Sequence, residues 1–525
     1  MMPAHAVTPK PTVANAYLSA YEQFDSIITQ LRSPHSQRMT HSQLESLLET
    51  EGRELLRRLL QAHLDERSPG RVAEPVRGAD GKEHTHQRPH TRPLETVFGE
   101  VEVTRQGYGG GGQASLHPLD AELNLPPERY SHTVRRRVAA EAAKNSFDEV
   151  LAALNHTSGA RVPKRQAEQL VQRAAQDFAA FYDAQPQATA REVKATREIL
   201  VISSDGKGVP VRKADLRAQT RAAAEARKPH LRHRRSKGEK PHTKRMSTVA
   251  AVYTIAPWVR RPEEIVRELH PQHAPQTPRP QPEDKRVWAS LEQPPEEVIR
   301  QAFEEAHRRD PKHTKQWVGL VDGEPTQLGL LMVAAEDYGV DLVIILDLIH
   351  VLEYLWRAAW ALHCEGDPKA EVWVSAHLEE ILRGHSSQVA AGLRRSATLR
   401  ALSAKQRAPL DKCADYLLKY REFLHYDQYL AAGYPIATGV IEGACRHLVK
   451  DRMELTGARW SLPGAEAVLR LRSLRSSGDF DQYWEFHLKQ EQQRHHTAHY
   501  AEGKVPTPNP ELGGKGKGSH LRLIK

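Results

Sequence analysis

The sequence predicts an α/β fold: a five-strand sheet in the middle of the chain, with a mainly helical region before it and more helices after it. Two observations carry this reading. Five short segments are β-branched and apolar, as buried strands are: EILVISSD (198–205), STVAAVYTI (247–255), KRVWASLE (285–292), QWVGLVD (316–322) and DLVIILD (341–347). Helical patterns fit between the later ones: PPEEVIRQAFEEAHRR (294–309), with Pro at its start, and TQLGLLMVAAEDYG (326–339). Three strands, a helix, a strand, a helix and a strand make an α/β sheet.

Length and charge bound the rest. A chain of 525 residues is too long for one ordinary domain, so two to four are expected. The three cysteines, Cys364, Cys413 and Cys445, are an odd and sparse set, neither a disulfide framework nor a CxxC metal site. No apolar run approaches the ~18 residues of a membrane span, and the opening MMPAHAVTPKPTV has no hydrophobic signal core. A soluble protein with no membrane partner is expected.

Lys plus Arg exceed Asp plus Glu by 75 − 66 = 9, but the excess is local. Residues 221–245 hold ten Lys/Arg against Glu225 and Glu239, a net +8, and the last thirteen residues, GGKGKGSHLRLIK, add +4. The remainder therefore sums to 9 − 8 − 4 = −3. A concentrated basic segment favours phosphate contact, and Arg232, Arg234, Arg235 and Lys237 are its candidate DNA ligands. A solvated loop held open by repulsion is the plainer alternative.

The elements follow in order. Residues 1–66 read as an N-terminal helical region, with Ser42 and Glu45 as a capping box. Leu44, Leu47, Leu48, Leu55, Leu56, Leu59 and Leu60 recur there at helical spacing, suiting either a dimerisation stripe or a helix packed on its own chain. Residues 67–130 read as a linker followed by a β-hairpin, with LETV and VEVT around a turn at Gly99. Residues 131–190 carry three helical patterns, the second capped by Ser146 and the third, PKRQAEQLVQRAAQDFAAFY, opened by Pro163. Two helices joined by a short Gly-containing turn resemble a helix-turn-helix, which would present Lys164 and Arg165 to DNA. A plain helical connector is equally consistent. Residues 191–349 hold the five strands, including a Pro-rich loop at 271–295. Residues 350–433 are helical, 434–490 helical again, and 491–525 a flexible basic tail.

Acids at the ends of apolar strands are the informative feature, because an isolated buried carboxylate needs a cation, a proton or a hydrogen-bonded partner. Asp205 ends the first strand in SSDGKG and Asp322 ends the fourth in LVDGEP, each followed by Gly; Glu442 lies at the start of a helix in ATGVIEGACRHLVKDRM. Carboxylates converging from separate strands and a helix suit hard cations such as Mg²⁺. Strand-end Asp-Gly is also a common turn dipeptide, so spacing alone does not establish the set. Glu442, Arg446 and Lys450 fall at i, i+4 and i+8, on one helix face. Lys207 is placed to touch the same phosphate backbone. Trp356 and Trp360, one turn apart, suit core packing better than base stacking. Cys445 reads as a small packing residue.

SSDGKGVPVRKADLR, KRMSTVAAVYTI, WVGLVDGEPTQL, ILDLIHVLEYLW and GYPIATGVIEGACRHLVKDRMELTGARWSLPGAEAVLRLRSLRSSGDFDQYW occur in this order. Together they resemble the ISKra-type bacterial insertion-sequence transposases, over roughly residues 90–490. That family is similar to the wider Mutator-like group of DDE transposases. The resemblance implies a ribonuclease H-like mixed five-stranded sheet core, an all-α insertion, and a mainly helical N-terminal DNA-binding region. It implies a catalytic, metal-holding triad placed here on Asp205, Asp322 and Glu442, with two Mg²⁺ ions for which Mn²⁺ can substitute. Asp347 competes with Asp322 for the second position. Asp322 is preferred because Asp347-Leu-Ile-His350 resembles the separate C/D-x-x-H motif that follows the second Asp by one strand. Asp347 and His350 would then brace the site from outside the metal ligands. Where some relatives have a Cys-containing stretch, this sequence has a glycine run after Tyr108, so no zinc site is expected there.

The implied activity is binding of element ends, cleavage by metal-activated water, and transfer of the freed 3′-OH to target DNA. The implied partners are double-stranded DNA and a second copy of the chain or more, in the bacterial cytoplasm at the nucleoid. A DNA-binding protein that has lost catalysis, and a nuclease without strand transfer, are the alternatives.

Overall fold

The computed structural model describes residues 16–110, 112, 114–195, 197–226, 242–269, 278–364, 366–455 and 457–509. The chain divides into two compact units. One comprises Met1–Phe181 with Asp481–Lys525, the other Tyr182–Phe480.

The first unit opens with the helices Leu18–Arg32 and His41–Glu66, tied by a 2.7 Å hydrogen bond from Gln23 to Glu51. The second helix is capped by Thr40 with Gln43, not by the expected Ser42 and Glu45. Thr40 has the extended backbone a cap needs, and Gln43 returns the bond as well as a Glu would. Of the leucine stripe, Leu60 packs, beside Leu64, on the cluster of Leu94, Val101, Val103, Leu119 and Leu125, whereas Leu48, Leu56 and Leu59 are exposed.

Strands β1 (His86–Thr96) and β2 (Gly99–Gly109) pair antiparallel around Val97 and Phe98. The hairpin therefore starts inside the expected linker. Its outer half is solvent-exposed on β1, so it lacks the apolar alternation by which a strand is recognised. The helices His132–Ala142, Phe147–Thr157 and Lys164–Ala174 follow, with Ser146 and Glu149 forming a capping box on the second. The expected third helix does not run through to Tyr182. It breaks after Ala174 and resumes as Phe178–Asp183, with Asp177 buried at the break.

The second unit is built on a mixed five-strand sheet: β3 (Ile199–Pro210), β4 (Lys244–Ile255), β5 (Glu283–Ser290), β6 (Gln316–Val321) and β7 (Leu342–Leu346). The order across the sheet is β5-β4-β3-β6-β7. β3 pairs antiparallel with β4, and β4 with β5; β3 pairs parallel with β6, and β6 with β7. Parallel pairs need crossovers, and the helix Pro325–Asp337 links β6 to β7. Leu200, Val201 and Ile202 in the first half of β3 are fully buried, as the apolar segments require.

After β7 come the helices Leu348–Ala359, Pro368–Leu382, Ser386–Leu399, Ala404–Lys419 and Tyr426–Ala431. The chain then returns as the helix Gly439–Ala444, a π-helical segment Cys445–Lys450, and the helix Leu462–Ser477. Ser477 closes this return on the sheet by accepting the Val287 N–H of β5 at 3.0 Å. Among the described residues, no helix is long and apolar enough to cross a membrane.

One expectation about β3 is corrected. Asp205 does not end the strand, which continues to Pro210 through pairing with β4. What ends near it is the other neighbour: β3–β6 pairing stops at Ser203↔Leu320. Asp205 thus sits where the parallel neighbour leaves off, so its carboxylate has open space beside it while its backbone stays in the ladder.

Candidate active site

A cavity of about 630 Å³ opens in the second unit at the ends of β6 and β7. Asp205, Asp322, Asp347, His350 and Glu442 line it, with Lys207, Cys445, Arg446 and Lys450. Asp205, Asp322, Asp347, His350, Glu442, Lys207, Arg446 and Lys450, all singled out by the sequence, are therefore on its wall.

Each acid is held differently. Asp205 accepts the Gly206 N–H on Oδ1 at 2.5 Å and the Cys445 thiol on Oδ2 at 3.0 Å. Asp322 follows β6 directly, and its Oδ1 accepts the Glu324 N–H at 2.8 Å. Gly323 takes the left-handed φ of +89°, and a Cβ there would meet Leu346 Cδ1 at 3.0 Å. The Tyr416 hydroxyl donates to the Asp322 carbonyl and the Tyr420 hydroxyl to that of Gly323, fixing the turn from the helical segment. Burial raises the Asp322 carboxyl above its ordinary value. The Glu324 N–H works against this, and the nearby Asp205 charge adds to it.

Asp347 is 1% exposed and fully engaged. Its Oδ1 accepts the N–H groups of Ile349 at 3.3 Å and Thr438 at 3.0 Å, and its Oδ2 meets His350 Nδ1 at 2.9 Å. That hydrogen bond raises the His350 imidazole above its ordinary value against the opposing effect of burial. A carboxylate so occupied suits bracing better than metal ligation.

Glu442 is exposed on the first turn of its short helix. The expected single α-helical face from Glu442 to Lys450 is modified, because the backbone from Cys445 onward is π-helical. The wider i→i+5 turn changes the angle between successive residues, yet Arg446 and Lys450 still reach the cavity wall. Arg446 also stands 3.8 Å from Asp451.

Among the described residues, only Asp177, His487 and Glu491 bring three candidate ligand atoms within 4.8 Å of one another. This buried group, in the first unit, could hold a metal ion. Its carboxylates already carry partners: His487 Nδ1 lies 2.6 Å from Asp177, Arg135 donates to Glu491 at 2.6 Å, and Arg494 donates to both acids. Sequence reasoning missed it. The one visible signal was His487 and Glu491 four residues apart on a single helix, since Asp177 is remote in the chain.

The remaining predicted DNA contacts divide. Lys164 is exposed but pairs with Asp148 at 2.7 Å, and Arg165 is exposed beside it. Arg232, Arg234, Arg235 and Lys237 lie outside the described residues, as does the terminal GGKGKGSHLRLIK. At the end of the basic segment, Lys244 pairs with Glu454 at 2.8 Å and Arg245 donates to the Leu291 carbonyl at 2.9 Å, so these two cations serve the fold. Trp356 and Trp360 lie 5.8 Å apart, and Trp360 is 52% exposed, against the expected core packing.

Comparison with protein-family models gives no match, and neither does comparison with curated proteins.

Proposed function

We propose that this chain is a DNA transposase of the ISKra type, with Asp205, Asp322 and Glu442 as its metal-holding triad. The observation that carries the reading is the cavity itself. Three acids remote in sequence, on a strand, a strand end and a helix, line one space together with Lys207, Arg446 and Lys450. The strand order, with the first three strands antiparallel and the last two added in parallel beside the first, supports a ribonuclease H-like core.

The residues fit divalent cations. Asp322 is raised by burial and by the charge of Asp205, a surplus of negative charge that bound cations relieve. When bound, Mg²⁺ or Mn²⁺ activates the attacking water or hydroxyl and stabilises the leaving oxygen. Asp205, Asp322 and Glu442 hold the ions. Lys207, Arg446 and Lys450 neutralise the DNA backbone beside the scissile phosphate. In strand cleavage the water oxygen bonds to phosphorus and the bond to the 3′ oxygen breaks. In joining, the freed 3′-OH oxygen bonds to a target phosphorus, and that phosphorus's bond to its own 3′ oxygen breaks, leaving a 3′-OH on the target strand.

The test is a Mg²⁺-dependent cleavage and joining assay on the DNA flanking the native locus. Cleavage with joining of a pre-cut end supports the transposase. Cleavage without joining identifies a nuclease, and binding without either a DNA-binding protein that has lost catalysis.

A further inference from the structure

We infer that Cys445 is a positioning residue for the carboxylate of Asp205. The proposal rests on reading the cavity as a metal centre. By its sequence context this cysteine has only a packing role.

The Asp205 carboxylate accepts two described hydrogen bonds. One comes from Gly206, its own neighbour, and turns with the strand. The other comes from Cys445, on a different element. The thiol is therefore the contact that sets which way the carboxylate faces relative to the rest of the cavity. Cys445 is 4% exposed, so solvent does not compete for its donor.

The position matters as well as the contact. Cys445 lies three residues after Glu442, where the α-helix passes into the π-helical segment. One stretch of backbone thus carries the third acid and grips the first. A change in this turn would alter the separation of the two acids, which is what a two-ion site depends on. A thiol is a weak donor. It orients Oδ2 while leaving the carboxylate basic enough to bind a cation, which a charged donor such as Lys or Arg would oppose.

The test is calorimetric titration of the full-length protein with Mn²⁺ alone, without DNA, alongside thermal unfolding. Cys445→Ala is expected to weaken Mn²⁺ binding about tenfold, the usual size of such outer contacts. Cys445→Ser keeps a donor and is expected to stay near wild type. Equal weakening in both variants, or wild-type affinity in Cys445→Ala, overturns the proposal. If Cys445→Ala unfolds early, the comparison of Cys445→Ser with Cys445→Val at matched unfolding midpoints decides, because both fill the space and only one donates. Asp205→Asn separates the two levels. If it binds Mn²⁺ like wild type, the metal reading of the cavity fails. If it binds weakly while Cys445→Ala is unaffected, only the role of Cys445 fails.

Discussion

The Asp347 carboxylate accepts the Thr438 N–H at 3.0 Å, and the Thr438 carbonyl accepts the Glu442 N–H at 2.9 Å. The end of β7 is thereby stitched to the first turn of the helix that presents Glu442. The backbone repeats the stitch one residue on, where the Leu348 N–H donates to the Ile436 carbonyl at 2.9 Å. Asp347→Ala would leave the buried Thr438 N–H without its acceptor and should cost about 1–3 kcal/mol. Asp347→Asn keeps an acceptor and should cost less. Chemical denaturation checks both, and an Asp347→Ala protein as stable as wild type would mean the stitch is idle.

The triad makes a separate prediction. Asp205→Asn, Asp322→Asn and Glu442→Gln should each abolish strand cleavage while DNA binding, followed by mobility shift, persists. Asp347→Asn should retain measurable cleavage, because its carboxylate is spent on Thr438, Ile349 and His350. A fully active Asp322→Asn protein would move the second metal ligand to Asp347.

Salt dependence tests the basic segment. Neutralising Arg232, Arg234, Arg235 and Lys237 together should lower the slope of log K against log salt by about 3 to 4, at ~0.9 for each DNA phosphate that is no longer neutralised. An unchanged slope would make the segment a solvated insert. Neutralising Lys244 or Arg245 should instead act on stability, since both are bound within the fold.

Glu305 gives a pH prediction. Burial alone would raise its carboxyl, but Arg309, Arg286 and Arg308 outweigh it and lower it from 4.5 to about 2. A depressed folded value means the stabilisation is complete above the unfolded value of 4.5 and is lost as pH falls toward about 2. Glu305→Gln strands the buried Arg286, which stacks over Tyr182 and Trp288, and should cost about 3–5 kcal/mol near neutral pH. The stability difference between wild type and variant should shrink across that acid window. A difference constant from neutral pH down to 2 would refute the assignment.

The five strands were legible within a few residues because buried strands must be apolar and β-branched, a local property. The extent of β3 was not, since Gly206, Lys207 and Gly208 read as a turn and only pairing with β4 keeps them extended. β1 was hidden for the opposite reason: its outer half is exposed, so no apolar periodicity marks it. The cap at Thr40 was mislocated because Thr40–Gln43 and Ser42–Glu45 both have the right spacing, and only the backbone conformation chooses between them.

By itself, the sequence determined which residues can form strands and helices, and which acids and cations carry charge out of place in an apolar pattern. Those are consequences of local composition and period. Only the tertiary structure decided which of them meet. Strand order and crossovers put Asp205, Asp322 and Glu442 on one cavity, committed Asp347 to Thr438, turned Cys445 toward Asp205, and assembled Asp177 with His487 and Glu491. Contacts between residues remote in the chain depend on how whole elements pack, and no local pattern encodes that.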